Sequence, residues 1–338
     1  PSTLPGLNPF ISPPYVAMLY SVFTWLPLHW SMLLWSLLTL VFCFVSVRLI
    51  ATFVPDKLRM AGLTNKQLLI LTISFFPFIE GLLAGQNHGL TLLLVTGILV
   101  SACRQHWFLA GILAGGLIYK PHLVIGFLIV WIIWKNIKAL AGFAGVVTLV
   151  AGIFLLLNGI TPFVEYLKIS QDFMYLPYVE GFPGYIIITL YGLFTSIIPE
   201  DAAQVVQIIS LSLFILSSIL VAWVAYHQRK SSSPQQIPPL ILSLILPLSF
   251  SPYVQLHDLL LIVPIFVVWA NFDNKPRVFY TAVLTYLGVF ILSLLAVITG
   301  IAWMAIISLG LFIQIFLWNQ SLLKPQSINE VHGCENEP

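Results

Sequence analysis

Runs of apolar residues about as long as a bilayer is thick recur along this whole chain, and they constrain its fold more than any motif does. A helix rises 1.5 Å per residue, so about 20 apolar residues cross a hydrocarbon core, and somewhat fewer suffice where a helix is sheathed in protein. Membrane helices are predicted on that measure at 29–53, 67–84, 89–103, 107–119, 123–134, 138–158, 203–226, 238–250, 255–272, 278–298 and 301–319. That makes about eleven crossings. None of the runs alternates with a period of two, and an open sheet edge has no place in hydrocarbon, so strands are not expected. The predicted class is an all-α, polytopic transmembrane bundle. With 59% hydrophobic and 8% charged residues, a chain of 338 residues has too little polar surface to be soluble. A net charge of +2 gives no basic surface for nucleic acid.

The distribution of charge sets an orientation, because loops kept in the cytoplasm collect Lys and Arg. If residues 1–28 lie outside, all but Lys120 and Lys168 of the 14 basic residues fall inside, whereas Glu80, Glu165, Asp172, Glu180, Glu200, Asp201 and Asp258 fall outside. The chain is therefore placed in the cytoplasmic membrane with its unusual connections outward. Residues 1–28 carry no charge and are rich in proline before Tyr15, which reads as an extended segment followed by a short apolar helix lining something. The long connection 159–202 suits helices lying in or re-entering the interface. Residues 1–323 read as one transmembrane domain. The polar stretch HQRKSSSPQQIPP, 227–239, reads as an inner linker, and 324–338 as a disordered cytoplasmic tail. Cys43, Cys103 and Cys334 show no CxxC spacing, so neither a disulfide framework nor a zinc site is indicated.

Four polar clusters converge on the outer face: the Pro-rich opening, GQNHG at 85–89, the KPH break at 120–122, and SPYVQLHD at 251–258. Gln86, Asn87 and His88 offer donors and acceptors at membrane depth, either to a ligand or merely to cap the flanking helices. Lys120 stands inside an apolar stretch, and a cation there costs about 3 kcal/mol on insertion scales. It either snorkels to the headgroups or, beside a helix broken by Pro121 and followed by His122, meets an anion at a helix start. His257 and Asp258 are candidates for acid–base or hydrogen-bonding work, or else pair with buried donors; Tyr253 shares their segment. Being adjacent, the two should project about 100° apart and not face one ligand together. Glu80 and Asp172 read as solvated interfacial acids. There is no P-loop, GxGxxG, HExxH or GxSxG.

The stretch GQNHGLTLLLVTGILVSACRQHWFLAGILAGGLIYKPHLVIGFLIVWII resembles the core signature of glycosyltransferase family 87, with its GQN turn, small-residue helix and Lys-Pro. SPPYVAMLYSVFTWLPLHWSMLLWSLL is similar to the family's Tyr-Pro-Pro loop and the helix after it, although here Ser12 precedes the prolines and Tyr15 follows them. SPYVQLHDLLLIVP is similar to its late Ser-Pro…His/Asp segment. The resemblance implies a GT-C type bundle that takes a hexose, typically mannose, from a polyprenyl phosphate sugar and passes it to a lipid or glycan acceptor. It implies no nucleotide, no cofactor and no required metal. Lys120 would hold the donor phosphate, with Gln86, Asn87, His88, His122 and Tyr253 contacting substrate and His257 or Asp258 assisting catalysis. It also places the principal catalytic Asp in an outer loop after an initial helix, ahead of Pro1, so the sequence is expected to lack that region. A flippase or secondary transporter using the same broken helix is the alternative, although such proteins usually carry paired broken segments and only one Lys-Pro break is present. A structural membrane subunit is a third.

Overall fold

The computed structural model describes residues 12–53, 63–170, 176–179, 182–229, 237–252, 254–273 and 275–323. Tyr253, Asp172, most of the 227–239 linker and the tail 324–338 lie outside the described residues.

The chain opens with α1 (Pro14–Tyr20), whose first residue is a proline, a position where the missing N–H costs nothing, and with a 3-10 turn at Ser21–Trp25. Next comes α2 (Leu28–Ile50). The predicted helix 67–84 is two helices, α3 (Asn65–Ile73) and α4 (Phe76–Leu83), bent by 57°. Pro77 in the first turn of α4 has no N–H to give the Ile73 carbonyl and its ring crowds that carbonyl, so the ladder breaks at Ser74–Phe75, where Phe75 is extended (φ −68°, ψ 126°). Gly85, at φ +65°, turns α4 into α5 (His88–Cys103). There follow α6 (Trp107–Gly116), α7 (Pro121–Ile133), α8 (Ile137–Asn158), α9 (Thr161–Ser170), α10 (Leu190–Ile197), α11 (Ala203–Gln228) and α12 (Ile237–Phe250). A 3-10 segment, Leu256–Leu261, runs into α13 (Ile262–Phe272), and α14 (Pro276–Thr299) and α15 (Met304–Ser321) complete the bundle. Among the described residues there is no strand, only an isolated bridge between Ile187 and Gln255.

Among the described residues five helices are long and apolar enough to cross a membrane, or six if the bent α3–α4 pair is one span. The count of about eleven drawn from the sequence includes five further apolar helices that are only 10–17 residues long. Length and burial divide the two sets. The long helices face outward: the α8 window is only 11% buried, that of α11 28%. The short helix α12 is buried at every residue, with α7, α11, α13 and α15 around it. Protein neighbours rather than lipid therefore surround α12.

Close backbone approach holds the interior together, as expected where lipid is as apolar as the side chains and packing must supply the attraction. Helices α6 and α8 meet through Gly111, Gly115 and Gly142; a Cβ on Gly115 would lie 2.6 Å from Val146 Cβ. Most buried apolar side chains from Tyr15 to Trp318 form one continuous cluster, and Ile187, Tyr191 and Val206 form a smaller one at α10 and α11.

Candidate functional site

The site begins at a helix break. After α6 the chain tightens into a 3-10 turn at Leu117–Tyr119, and Pro121 forbids the helical conformation to the residue before it. Lys120 is accordingly non-helical (φ −126°, ψ 70°) and stands immediately before α7. The break is anchored on both sides. Tyr119 shares a 2.8 Å hydroxyl hydrogen bond with Thr91 of α5, and the Ile118 carbonyl accepts from Tyr15 of the opening helix at 2.7 Å.

Facing it is the segment after α12. The Ile188 amide donates to the Val254 carbonyl (3.1 Å), which pins this segment, and Gln255 then starts the 3-10 helix through a reciprocal capping box with Asp258. Asp258 Oδ2 accepts from the Gln255 amide at 3.4 Å, which leaves Oδ1 to form an ion pair with Lys120 Nζ. Both ends of that pair are withdrawn from solvent, the Lys120 side chain 11% exposed and Asp258 2%. His257 Nε2 lies 3.4 Å from Lys120 Nζ and 3.9 Å from Asp258 Oδ1. On its other side, His257 Nδ1 is 3.4 Å from Glu80 Oε2, close enough for electrostatic contact but without hydrogen-bond alignment. The result is a buried chain of four ionisable side chains contributed by α4, the Lys120 break and the Leu256–Leu261 turn.

Two sequence expectations are corrected here. His257 and Asp258 bracket the same ammonium instead of diverging. They sit on a 3-10 turn rather than an α-helix, and the long Lys120 side chain reaches both. Glu80, expected to be a solvated acid, is only 25% exposed and lies against His257.

A cavity of about 1110 Å³ opens beside this chain. Its wall gathers Gln86 and Asn87 from the turn before α5, Lys120 and His122 from the break, and His257 and Asp258, with Ser12, Pro13 and Tyr20 from the opening segment. All four predicted clusters therefore share one cavity. His88 is the exception. It is buried behind the wall, its ring edge-on to Phe78 (5.2 Å between centroids), 6.3 Å from the His257 ring and packed on Gly81, where a Cβ would come within 2.5 Å of Nδ1. It packs behind His257 and does not line the cavity. Asn87 meets the Tyr20 phenol, and the Gln86 carbonyl accepts from Trp35 Nε1 at 3.2 Å.

Sequence reasoning missed a third wall. Gln204, Gln207 and Ser210 of α11 also line the cavity. Polar residues three apart on an otherwise apolar helix were the available signal. Among the described residues no group of three His, Cys, Asp or Glu side chains is arranged to hold a metal ion, and Cys43 and Cys103 are free.

The family model described as Glycosyltransferase family 87 matches residues 10–252. The chain belongs to glycosyltransferase family 87. The match takes in the opening segment, the GQN turn and the Lys-Pro break, and it ends at Pro252. In this family 87 protein the Lys120–Asp258 pair thus joins a residue inside the matched stretch to one beyond it. No curated protein and no solved structure matches the chain significantly. Together the family and the apolar bundle make it a multi-pass membrane glycosyltransferase, acting on a sugar donor and an acceptor in the bilayer.

Proposed function

We propose that this glycosyltransferase moves a hexose, specifically mannose, from a polyprenyl phosphate sugar to a lipid or glycan acceptor at the outer face of the cytoplasmic membrane. The observation that carries the reading is Lys120: a buried ammonium at a helix break, held by Asp258 and open to a cavity shared with the GQN turn. An ammonium has three N–H donors. One is taken by Asp258 and a second points toward His257, which leaves the third for a phosphate oxygen. Transfer breaks the bond between the sugar's anomeric carbon and the phosphate oxygen, and the bonding pair stays on the phosphate. Lys120 stabilises the charge that develops there, an interaction made fully only in the transition state.

Gln86 and Asn87 orient the sugar or phosphate, and His122 stands beside the same break. His257 and Asp258 hold Lys120 in position and assist the phosphate or the acceptor. The acceptor hydroxyl attacks the anomeric carbon with inversion, and its proton passes to the carboxylate base that the family resemblance implies. Outward orientation is supported by the Lys and Arg distribution, and a single domain over 1–323 by the continuous apolar core. The transporter alternative gives way to transfer chemistry on family membership.

Lys120→Ala in the full-length protein is expected to lower transfer from radiolabelled polyprenyl phosphate mannose by about 10²–10³-fold, the range seen when one stabilising donor is removed. Unchanged transfer would sink the proposal.

A further inference from the structure

Helix α11 presents an uncharged wall to the cavity, and its chemistry differs from that of the Lys120 wall. No Asp, Glu, Lys or Arg lies between Asp201 and Arg229. The residues that line the cavity form two interleaved sets along the helix, polar Gln204, Gln207 and Ser210 and apolar Ile208, Leu211 and Phe214, each apolar residue one turn beyond a polar one. At 1.5 Å per residue the two sets together span about 15 Å.

Two of the polar groups are unsatisfied. Serines within apolar helices usually donate back to a carbonyl one turn earlier, as Ser217 and Ser218 of this same helix do at 2.8 and 2.7 Å. Ser210 is buried, 4% exposed, yet its Oγ has no partner, and neither has the buried Nε2 of Gln207. Buried polar groups are almost always paired, so unpaired ones on a cavity wall mark where a ligand supplies the partner. Amides and hydroxyls without formal charge both donate to and accept from sugar or polyol hydroxyls, and they bring no counter-charge for a phosphate. The apolar set has a destination as well. Ile208 and Leu211 line the cavity yet are 59% and 58% exposed, so the wall continues onto the bilayer-facing side of α11.

We propose that Gln204, Gln207 and Ser210 form the acceptor subsite, and that the acceptor is an uncharged, hydroxyl-rich headgroup carried on a hydrocarbon chain, which lies along Ile208, Leu211 and Phe214. This rests on the transferase reading above and names its second substrate class. Donor and acceptor then occupy different walls, the donor phosphate at Lys120 and the acceptor hydroxyls at α11.

The test uses the full-length protein in phosphatidylcholine nanodiscs with three probes: octyl mannoside, methyl mannoside and polyprenyl phosphate. Wild type is expected to bind octyl mannoside at least tenfold more tightly than methyl mannoside. The double variant Gln207→Leu/Ser210→Ala is expected to lose tenfold or more for octyl mannoside while keeping polyprenyl phosphate affinity within twofold, which also reports that it is folded. Unchanged octyl mannoside binding in the variant overturns the subsite, as does equal loss of both ligands there and in the milder Gln204→Ala. Equal binding of the two mannosides by wild type overturns the lipid-anchored acceptor. Lys120→Ala separates the two readings: if it retains polyprenyl phosphate binding, the phosphate role fails while the α11 result stands on its own.

Discussion

Helix α12 carries a buried polar cluster at each end, and the two are built on opposite principles. Near its start, Gln228 of α11 donates to the Asn319 carbonyl of α15 at 3.2 Å, and Asn319 donates to the Pro238 carbonyl at 3.3 Å and to Ile315 at 2.9 Å. Every member is neutral and buried, and the cluster ties three helices together. Beyond its other end, after Ser251 and Pro252, lie Lys120, Asp258, His257 and Glu80. These are charged or chargeable, all but Glu80 line the cavity, and Glu80 Oε2, His257 Nδ1 and the nearby His122 Nε2 have no hydrogen-bond partners. The neutral cluster, paired except at Gln228 Oε1 and away from the cavity, fastens the bundle, whereas the charged cluster beside the cavity is held ready for something else to complete it.

Breaking the charged cluster should produce the largest effects, and in a pattern that separates stability from activity. Asp258→Asn leaves the Lys120 ammonium buried without its counter-charge, and loss of one partner of a buried pair costs about 3–5 kcal/mol. Thermal unfolding in detergent should show that loss. Lys120→Met/Asp258→Leu, which removes both charges, should recover most of the stability yet none of the transfer. Recovery of transfer in the double variant would mean that the pair is only a fastening.

Gly81→Ala probes the support behind the site. A methyl at that position collides with the His88 ring, which in turn faces His257, and overpacking of this kind costs about 1–3 kcal/mol. Transfer should fall along with stability. An unperturbed melting curve would show that His88 does not need the space Gly81 leaves.

The smallest effect is expected at the neutral end. Asn319→Ala removes three side-chain hydrogen bonds within the membrane-embedded bundle, where such bonds average about 0.6 kcal/mol and reach about 1.7 kcal/mol. Stability should drop by about that much, with transfer kept near wild type. A large loss of activity would erase the distinction between the two ends of α12.

Much of the site was legible before the structure because its clusters carry local signals. Lys120 is conspicuous within an apolar run, Pro121 marks its own helix break, and GQNHG announces a turn through its two glycines. The pairings were not legible. Lys120 and Asp258 are separated by 137 intervening residues, and nothing local says which carboxylate meets which cation. Glu80 was read as solvated because its position in the sequence says nothing about α4 packing against the Leu256–Leu261 turn. His88 was placed on the ligand because its chemistry fits, while the space left by Gly81 draws it behind the wall.

The sequence by itself determined an apolar helical bundle, the class of its outer clusters and the place of the helix break, since hydrophobicity and proline act on the residues beside them. Tertiary structure alone decided which short helices are sheathed in protein, which carboxylate neutralises Lys120, and that the amides of α11 face the same cavity. Those outcomes depend on how distant segments pack, and packing is a property of pairs of surfaces that no single stretch of sequence contains.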